Sequence, residues 1–288
     1  MALLCLDRCI VSPQVFPNLS ANFPPAPFEP EAITALRHNP APLARNTVAR
    51  DLAFDLTRWR EERFGYDRLV EYVDAQIGEV LDALDAAGHR EDTIVIFSSD
   101  HGEMAGAHRL ARKWVLYEES ACVPLIVRDP FGGRRGEVDD ALVSNGLDLL
   151  PTLCGYAGIA PPPHAIGHDF GRRVRDAEAP SRDDLVVETN LPDGANTVGR
   201  MVRTRDYAYH LYKTGLQAEQ LFDMHTDRGQ MVNLAMEPRY AEVLDDHRRR
   251  LADWCRKTND RELAHYARPG HVAIPGLGWV STTESSQP

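Results

Sequence analysis

Residues 94–120 read IVIFSSDHGEMAGAHRLARKWVLYEES, an apolar run that ends directly on Asp100 and His101. Thr93 to Phe97 is β-branched and aromatic without a polar break, which predicts a strand buried on both faces. A carboxylate beside an imidazole at the C-terminal end of such a strand is where open α/β sheets place ligands and metals. Hydrolytic chemistry is the expectation that follows. Arg109, Arg112 and Lys113 come just after the pair as a local basic group suited to a small anion, although three basic residues in a loop are as readily a solvated surface.

Upstream, the apolar positions Leu69, Val70, Val73, Ile77, Val80, Leu81 and Leu84 recur at three-and-four spacing from Tyr66, with Gly88 beyond them. This predicts an amphipathic helix with a glycine stop. Downstream, Pro124 to Arg128 (PLIVR) reads as a second strand, and Asp148 opens DLLPTLCGYAG, a helix with Pro151 in its first turn and Gly158 closing it. Residues 158–184 carry prolines, glycines and charges and read as a linker. Arg200 to Tyr212 then alternates like an antiparallel strand pair, Gln220 to Asp223 suggests a further strand, and Pro238 opens a helix with Tyr240, Val243, Leu244, His247, Leu251 and Trp254 on one face. Asn190 to Asn196 reads as surface loop.

The first 45 residues are rich in proline, which removes backbone donors and restricts neighbours, so an irregular extended segment is expected there. The organisation expected is an irregular stretch over 1–60, an α/β domain over 61–170 and a small α+β subdomain over 171–288.

Across 288 residues, 43% hydrophobic and 26% charged is the balance of a folded globular chain. A net charge of −11 argues against nucleic acid or an anionic membrane as partner, since both need a basic field. The five cysteines Cys5, Cys9, Cys122, Cys154 and Cys255 fit neither a disulfide framework nor a zinc pattern, so reduced thiols and a cytoplasmic location are expected. The start, MALLCLDRCIV, is interrupted by Asp7 and Arg8 and makes a poor signal peptide.

The segments YVDAQIGEVLDAL, TIVIFSSDHGEMAGAH, KWVLYEESACVPLIVR, LDLLPTLCGYAGI, MVRTRDYAYHLY and LFDMHTDRGQMVNLA, in this order, resemble the C-terminal half of the sulfatase family within the alkaline phosphatase superfamily. The resemblance runs from about Tyr66 to Asp260. It implies a partial alkaline-phosphatase-like α/β sandwich, a mainly parallel sheet flanked by helices, with a small C-terminal α+β subdomain. It also implies that Asp100 and His101 bind a divalent cation, usually calcium, that Lys113 touches the sulfate oxygens, and that His108 lies near the substrate. These residue types suit the chemistry: sulfate ester hydrolysis needs charge neutralised on the equatorial oxygens and the departing alkoxide, which a metal and a lysine supply. Read singly, Asp100 equally caps a turn, His101 equally packs as a core histidine, and Lys113 equally sits as a surface charge.

Two departures qualify the resemblance. Sulfatases carry a CxPSR-type nucleophile motif and paired aspartates before the DHG strand; no cysteine here is followed by that pattern, and EAPSR at 178–182 lies on the wrong side with glutamate in the nucleophile's place. Residues 18–36 instead resemble a proline-rich passage found just before the long helix in some bacterial sulfatases, so the chain is expected to enter the family's fold midway. Calcium takes roughly 6–8 oxygen ligands, so a two-residue site is expected to be weak. An incomplete sheet exposes an edge, which predicts self-association or a partner that covers it. Three readings remain: a sulfuric ester hydrolase acting on a small anionic sulfate ester and inactive or weakly active alone, a phosphodiesterase or phosphonate monoester hydrolase of the same superfamily, and a non-catalytic remnant.

Overall fold

A computed structural model describes residues 21–38, 56–191, 197–263, 271–274 and 278–281. In chain order its helices are α1 (Glu31–His38), α2 (Leu56–Ala86), α3 (Glu118–Ala121), α4 (Asn145–Ala157), α5 (Gly171–Arg175) and α6 (Ala241–Thr258). Its strands are β1 (Val95–Ser98), β2 (Leu125–Arg128), β3 (Asp184–Asn190), β4 (Val198–Thr204), β5 (Tyr207–Tyr212), β6 (Glu219–Asp223), β7 (His271–Ile274) and β8 (Gly278–Ser281). The chain divides into two compact units that interleave in sequence, where the sequence reading sets three consecutive stretches. The first comprises Met1–Leu19, Asp55–His101 and Val123–Arg182; the second comprises Ser20–Phe54, Gly102–Cys122 and Asp183–Pro288. The mixed α/β class expected from the sequence is the class observed. Within it, every described ladder is antiparallel, whereas a mainly parallel sheet was the expectation.

In the first unit, α2 runs 31 residues and begins ten residues before the expected Tyr66. Arg58 extends it at the N-terminal side by pairing with Glu61 and Glu62, one turn on. Beyond its end, Gly88 takes a left-handed φ of 78° and His89 donates to the Leu84 carbonyl, the glycine stop anticipated. Only Trp59 on this helix is buried, while Leu69, Val73 and Val80 are 64, 51 and 69% exposed. β1 and β2 pair antiparallel, Val95 opposite Arg128 and Ser98 opposite Leu125, and all eight positions are half-buried. The strands read as buried on both faces are therefore a two-stranded ribbon. Between it and α2 lies an apolar groove of about 320 Å³ lined by Val73, Ile77, Val80, Val95, Phe97 and Ile126.

Helix α4 starts at Asn145, three residues before the expected Asp148, so Pro151 lies in its second turn and not its first. Asp148 instead braces the turns around the helix from a buried position, accepting from the Ser144 and His168 N–H groups at 2.7 Å and from Arg182. Gly158 ends the helix with φ 68°, and Ile159 donates back to Cys154. The stretch read as a linker is structured: it contains α5, Phe170 donates to Thr152 Oγ1 at 2.9 Å, and Arg175 pairs with the buried Asp129 at 2.7 Å. Arg182 of the EAPSR segment is thus an ion-pair partner of Asp148.

The second unit is built on a four-stranded antiparallel sheet in the order β3-β4-β5-β6. The alternation read over Arg200 to Tyr212 is the β4–β5 pair, with Met201 opposite His210. Alternate residues serve two cores. Val202, Tyr209, Leu211 and Leu221 pack with Leu244, Leu251 and Cys255 of α6, and Met201, Ala208, Tyr212 and Phe222 pack with Ile33, Met104, Leu116 and Tyr117. The expected face of α6 is the buried one, Leu244, His247 and Leu251 included. The second core corrects the expectation of an irregular N-terminal stretch. α1 forms in the proline-free run after Pro30, with Ala32 6% and Ile33 0% exposed, because a short amphipathic segment is stabilised by burial more than by propensity. Residues 1–20, 39–55 and 192–196, which hold the rest of that stretch and most of the 190–196 loop, lie outside the described residues, Cys5 and Cys9 among them. Cys122, Cys154 and Cys255 are free thiols. Among the described residues no helix is long and apolar enough to cross a membrane.

Candidate functional site

The loop leaving β1 is short and tied down from three sides. Asn145, the first residue of α4, donates from its side chain to the Ser99 carbonyl at 2.6 Å and to the Asp100 carbonyl at 3.3 Å, and Ser99 Oγ donates to the His101 carbonyl at 2.9 Å. Asp100 Oδ1 accepts from the His101 backbone N–H at 2.9 Å, which holds its carboxyl below the usual aspartate range. Its other oxygen lies 3.4 Å from His101 Nε2. The Asp100 side chain is 81% exposed and that of His101 38%, so both groups face solvent and neither is packed into a core.

Two adjacent donors do not make a calcium site. Among the described residues no group of three or more His, Cys, Asp or Glu side chains is placed to hold a metal ion. The donors present fall short of the roughly 6–8 oxygens calcium takes, so these residues on their own do not fit the ion.

The next residue opens the second unit. Gly102 donates to the Ser120 carbonyl at 2.8 Å, and a Cβ on it would lie 2.0 Å from the Glu119 carbonyl oxygen. Glycine in the DHG triplet is thus required by close backbone approach. Gly102→Ala is expected to destabilise this unit by about 1–3 kcal/mol, the usual cost of overpacking; a denaturation midpoint equal to wild type would show that the contact relaxes freely.

From Met104 to Arg112 the chain folds back on itself, Met104 N–H to the Arg112 carbonyl at 2.7 Å and Gly106 N–H to Leu110 at 2.9 Å, while Glu103 Oε1 accepts from the Ala105 and Arg112 N–H groups. Ala105, His108, Arg109, Arg112 and Trp114 all adopt positive φ, at 45, 52, 52, 67 and 92°. Each such residue costs on the order of 1 kcal/mol or more.

His108 sits inside this loop and is fully buried. Its ring stacks on Tyr117 at 3.8 Å and 4°, its Nδ1 lies 3.7 Å from Glu29 Oε1, and its Nε2 lies 3.4 Å from Asn22 Nδ2. Asn22 also donates to Glu119 at 2.6 Å, and Tyr117 donates to Glu29 at 3.2 Å. Burial pushes the Glu119 carboxyl up against the opposing Asn22 bond. The structure therefore places His108 in a polar core layer. Lys113 is half-buried with its ammonium 5.7 Å from the centre of the Trp114 indole. Arg109 and Arg112 are exposed, Arg109 over the Phe23 ring at 5.3 Å.

Asp100 and His101 thus belong to the first unit, and His108 and Lys113 to the second. Sequence reasoning missed Asn145, Asn22, Glu29 and Glu119. Glu119 lies inside the quoted YEES segment, but Asn22 and Glu29 sit in the proline-rich passage, where no periodicity points to them.

The chain matches the Sulfatase family over residues 16–159 and the N-sulphoglucosamine sulphohydrolase C-terminal family over residues 106–257. It is 34% identical to a Delta 4,5-hexuronate-2-O-sulfatase of Bacteroides thetaiotaomicron over 211 residues, 70% of this chain and 44% of that protein. A solved 2-O GAG sulfatase superposes with a TM-score of 0.74 at 29% identity, covering 88% of this chain and 54% of that one. The phosphonate monoester hydrolase of Agrobacterium radiobacter shares the fold, with a TM-score of 0.67 at 23% identity over 94% of this chain and 56% of that one. The chain spans about half the length of the relatives it matches.

Proposed function

Because this chain belongs to the sulfatase family, we propose that it carries part of the oxyanion-handling machinery of a sulfuric ester hydrolase. The observation that carries this reading is the solvent-facing Asp100–His101 pair at the end of β1, followed in the same matched block by Lys113. In this reading Lys113 neutralises charge on the sulfate oxygens, while Asp100 and His101 are two donors that a divalent cation would take and that fall short of a full calcium set on their own. His108, held by Tyr117, Glu29 and Asn22, fixes the shape of the loop that carries Lys113. The substrate class is a small anionic sulfate ester, and the hexuronate sulfatase relative favours a sulfated saccharide.

The test uses the purified chain with nitrophenyl sulfate and, for comparison, nitrophenyl phosphonate, each with and without calcium. Calcium at tenfold its dissociation constant is expected to stabilise the fold by about 1.4 kcal/mol through mass action, read as a rise in Tm. Asp100→Ala is expected to abolish that rise and any turnover. Complete inactivity together with a Tm indifferent to calcium would favour the remnant reading, and preference for the phosphonate would favour a phosphonate monoester hydrolase.

A further inference from the structure

Trp114 combines three properties that a purely structural tryptophan does not need. Its φ of 92° is an outlier for a bulky side chain, its residue is 40% exposed, and its backbone is clamped on both sides. The clamps are the Arg112 N–H bond to Glu103 before it, the Thr189 hydroxyl bond to its own carbonyl, and the buried run Val115, Leu116 and Tyr117 after it. Strain of this kind persists only where surrounding contacts impose it. Here it holds a large flat ring in solvent beside the candidate oxyanion-binding lysine.

We propose that the Trp114 indole is the platform on which the sugar ring of a sulfated saccharide stacks while Lys113 engages the sulfate. The inference rests on the sulfatase reading and names the residue that would hold the sugar ring of the substrate class given there. The 5.7 Å from the Lys113 ammonium to the indole centre is near the outer limit of a cation–π contact, so the two groups can meet two parts of one ligand, the ester sulfate and the ring that bears it. A pyranose suits such a ring, because its apolar, electropositive C–H face complements the negative π-face of the indole.

The experiment follows the Trp114 indole N–H resonance, assigned by its loss in Trp114→Phe, during titration with a glucosamine monosulfate, unsulfated glucosamine, inorganic sulfate and nitrophenyl sulfate. The sulfated sugar is expected to shift it and to bind about tenfold more weakly to Trp114→Ala, the worth of one aromatic face. Trp114→Gly removes both ring and strain. It is expected to raise Tm while lowering sugar affinity, a split that a packing role would not produce. An indole unmoved by the sulfated sugar, or moved equally by nitrophenyl sulfate, overturns the platform. In that event, inorganic sulfate binding that is lost in Lys113→Ala leaves the sulfatase reading standing, and its absence removes both.

Discussion

Arg248→Ala is expected to destabilise the second unit by about 3–5 kcal/mol, because it leaves a carboxylate buried without its partner. Arg248 grips Glu219 with two parallel bonds of 2.7 Å, and Tyr209 donates to the same carboxylate at 2.7 Å. The two charged side chains are only 5 and 8% exposed. Burial alone would lower the guanidinium's pKa, but the Glu219 bonds outweigh it and raise it, so the guanidinium stays charged in the folded state. These bonds join α6 to β6, and a loss of that size is a large share of the roughly 5–15 kcal/mol by which a domain is stable. Replacing both partners, Arg248→Met with Glu219→Leu, is expected to restore most of the stability, since the desolvation cost goes with the charges. Urea unfolding followed by circular dichroism measures both. A single-variant loss below about 1 kcal/mol would mean that the carboxylate finds water, and the pair could then not be described as buried.

Acid is expected to weaken the same unit from about pH 6.5 downward. Burial lowers the pKa of His210 from 6.5 to about 3, and His108 and Arg203 nearby disfavour a further positive charge. Its ring is enclosed by Tyr117, Phe222 and Gln230, the last at 3.2 Å from Nε2. The folded value is depressed, so the neutral ring's contribution is fully present above pH 6.5 and lost as pH falls toward 3, while the unfolded chain binds the proton that the folded chain refuses. One proton costs about 1.4 kcal/mol per pH unit across that window, roughly 5 kcal/mol at the limit. His247, also lowered by burial, adds to the slope. Glu119 opposes it at the acid end, since burial raises its pKa and so favours the protonated folded state. His210→Gln keeps an acceptor for Gln230 but cannot titrate, so it is expected to flatten the decline of Tm between pH 6.5 and 5. An identical slope in the variant would assign the acid sensitivity elsewhere.

Legibility in the sequence followed the range of the interactions. The β4–β5 pair was readable because alternate residues face alternate cores, so Val202 and Tyr209 differ in destination from Met201 and Tyr212. The long helix was readable from its stripe, but not its first ten residues, where charge pairs around Arg58 replace apolar periodicity. The strand ending on Asp100 was readable as a strand; its antiparallel partner and half-exposed faces were not, because a continuous apolar run ordinarily marks a strand covered on both faces, and here both faces are only half covered. At the candidate site, the four named residues came from the quoted motifs. The burial of His108 and the ring of contacts from Asn22 and Glu29 join positions more than 70 residues apart, which no local pattern records.

By itself the sequence determined the family, the α/β class and the placing of Asp100 and His101 at a strand end, since each depends on residue type and short-range order. Only the tertiary structure decided that the 102–122 segment packs with the C-terminal sheet, that His108 is core while Trp114 stands in solvent, and that Asp100 and His101 lack further donors among the described residues. Burial and coordination are sums over neighbours distant in the chain, and a linear pattern does not carry those sums.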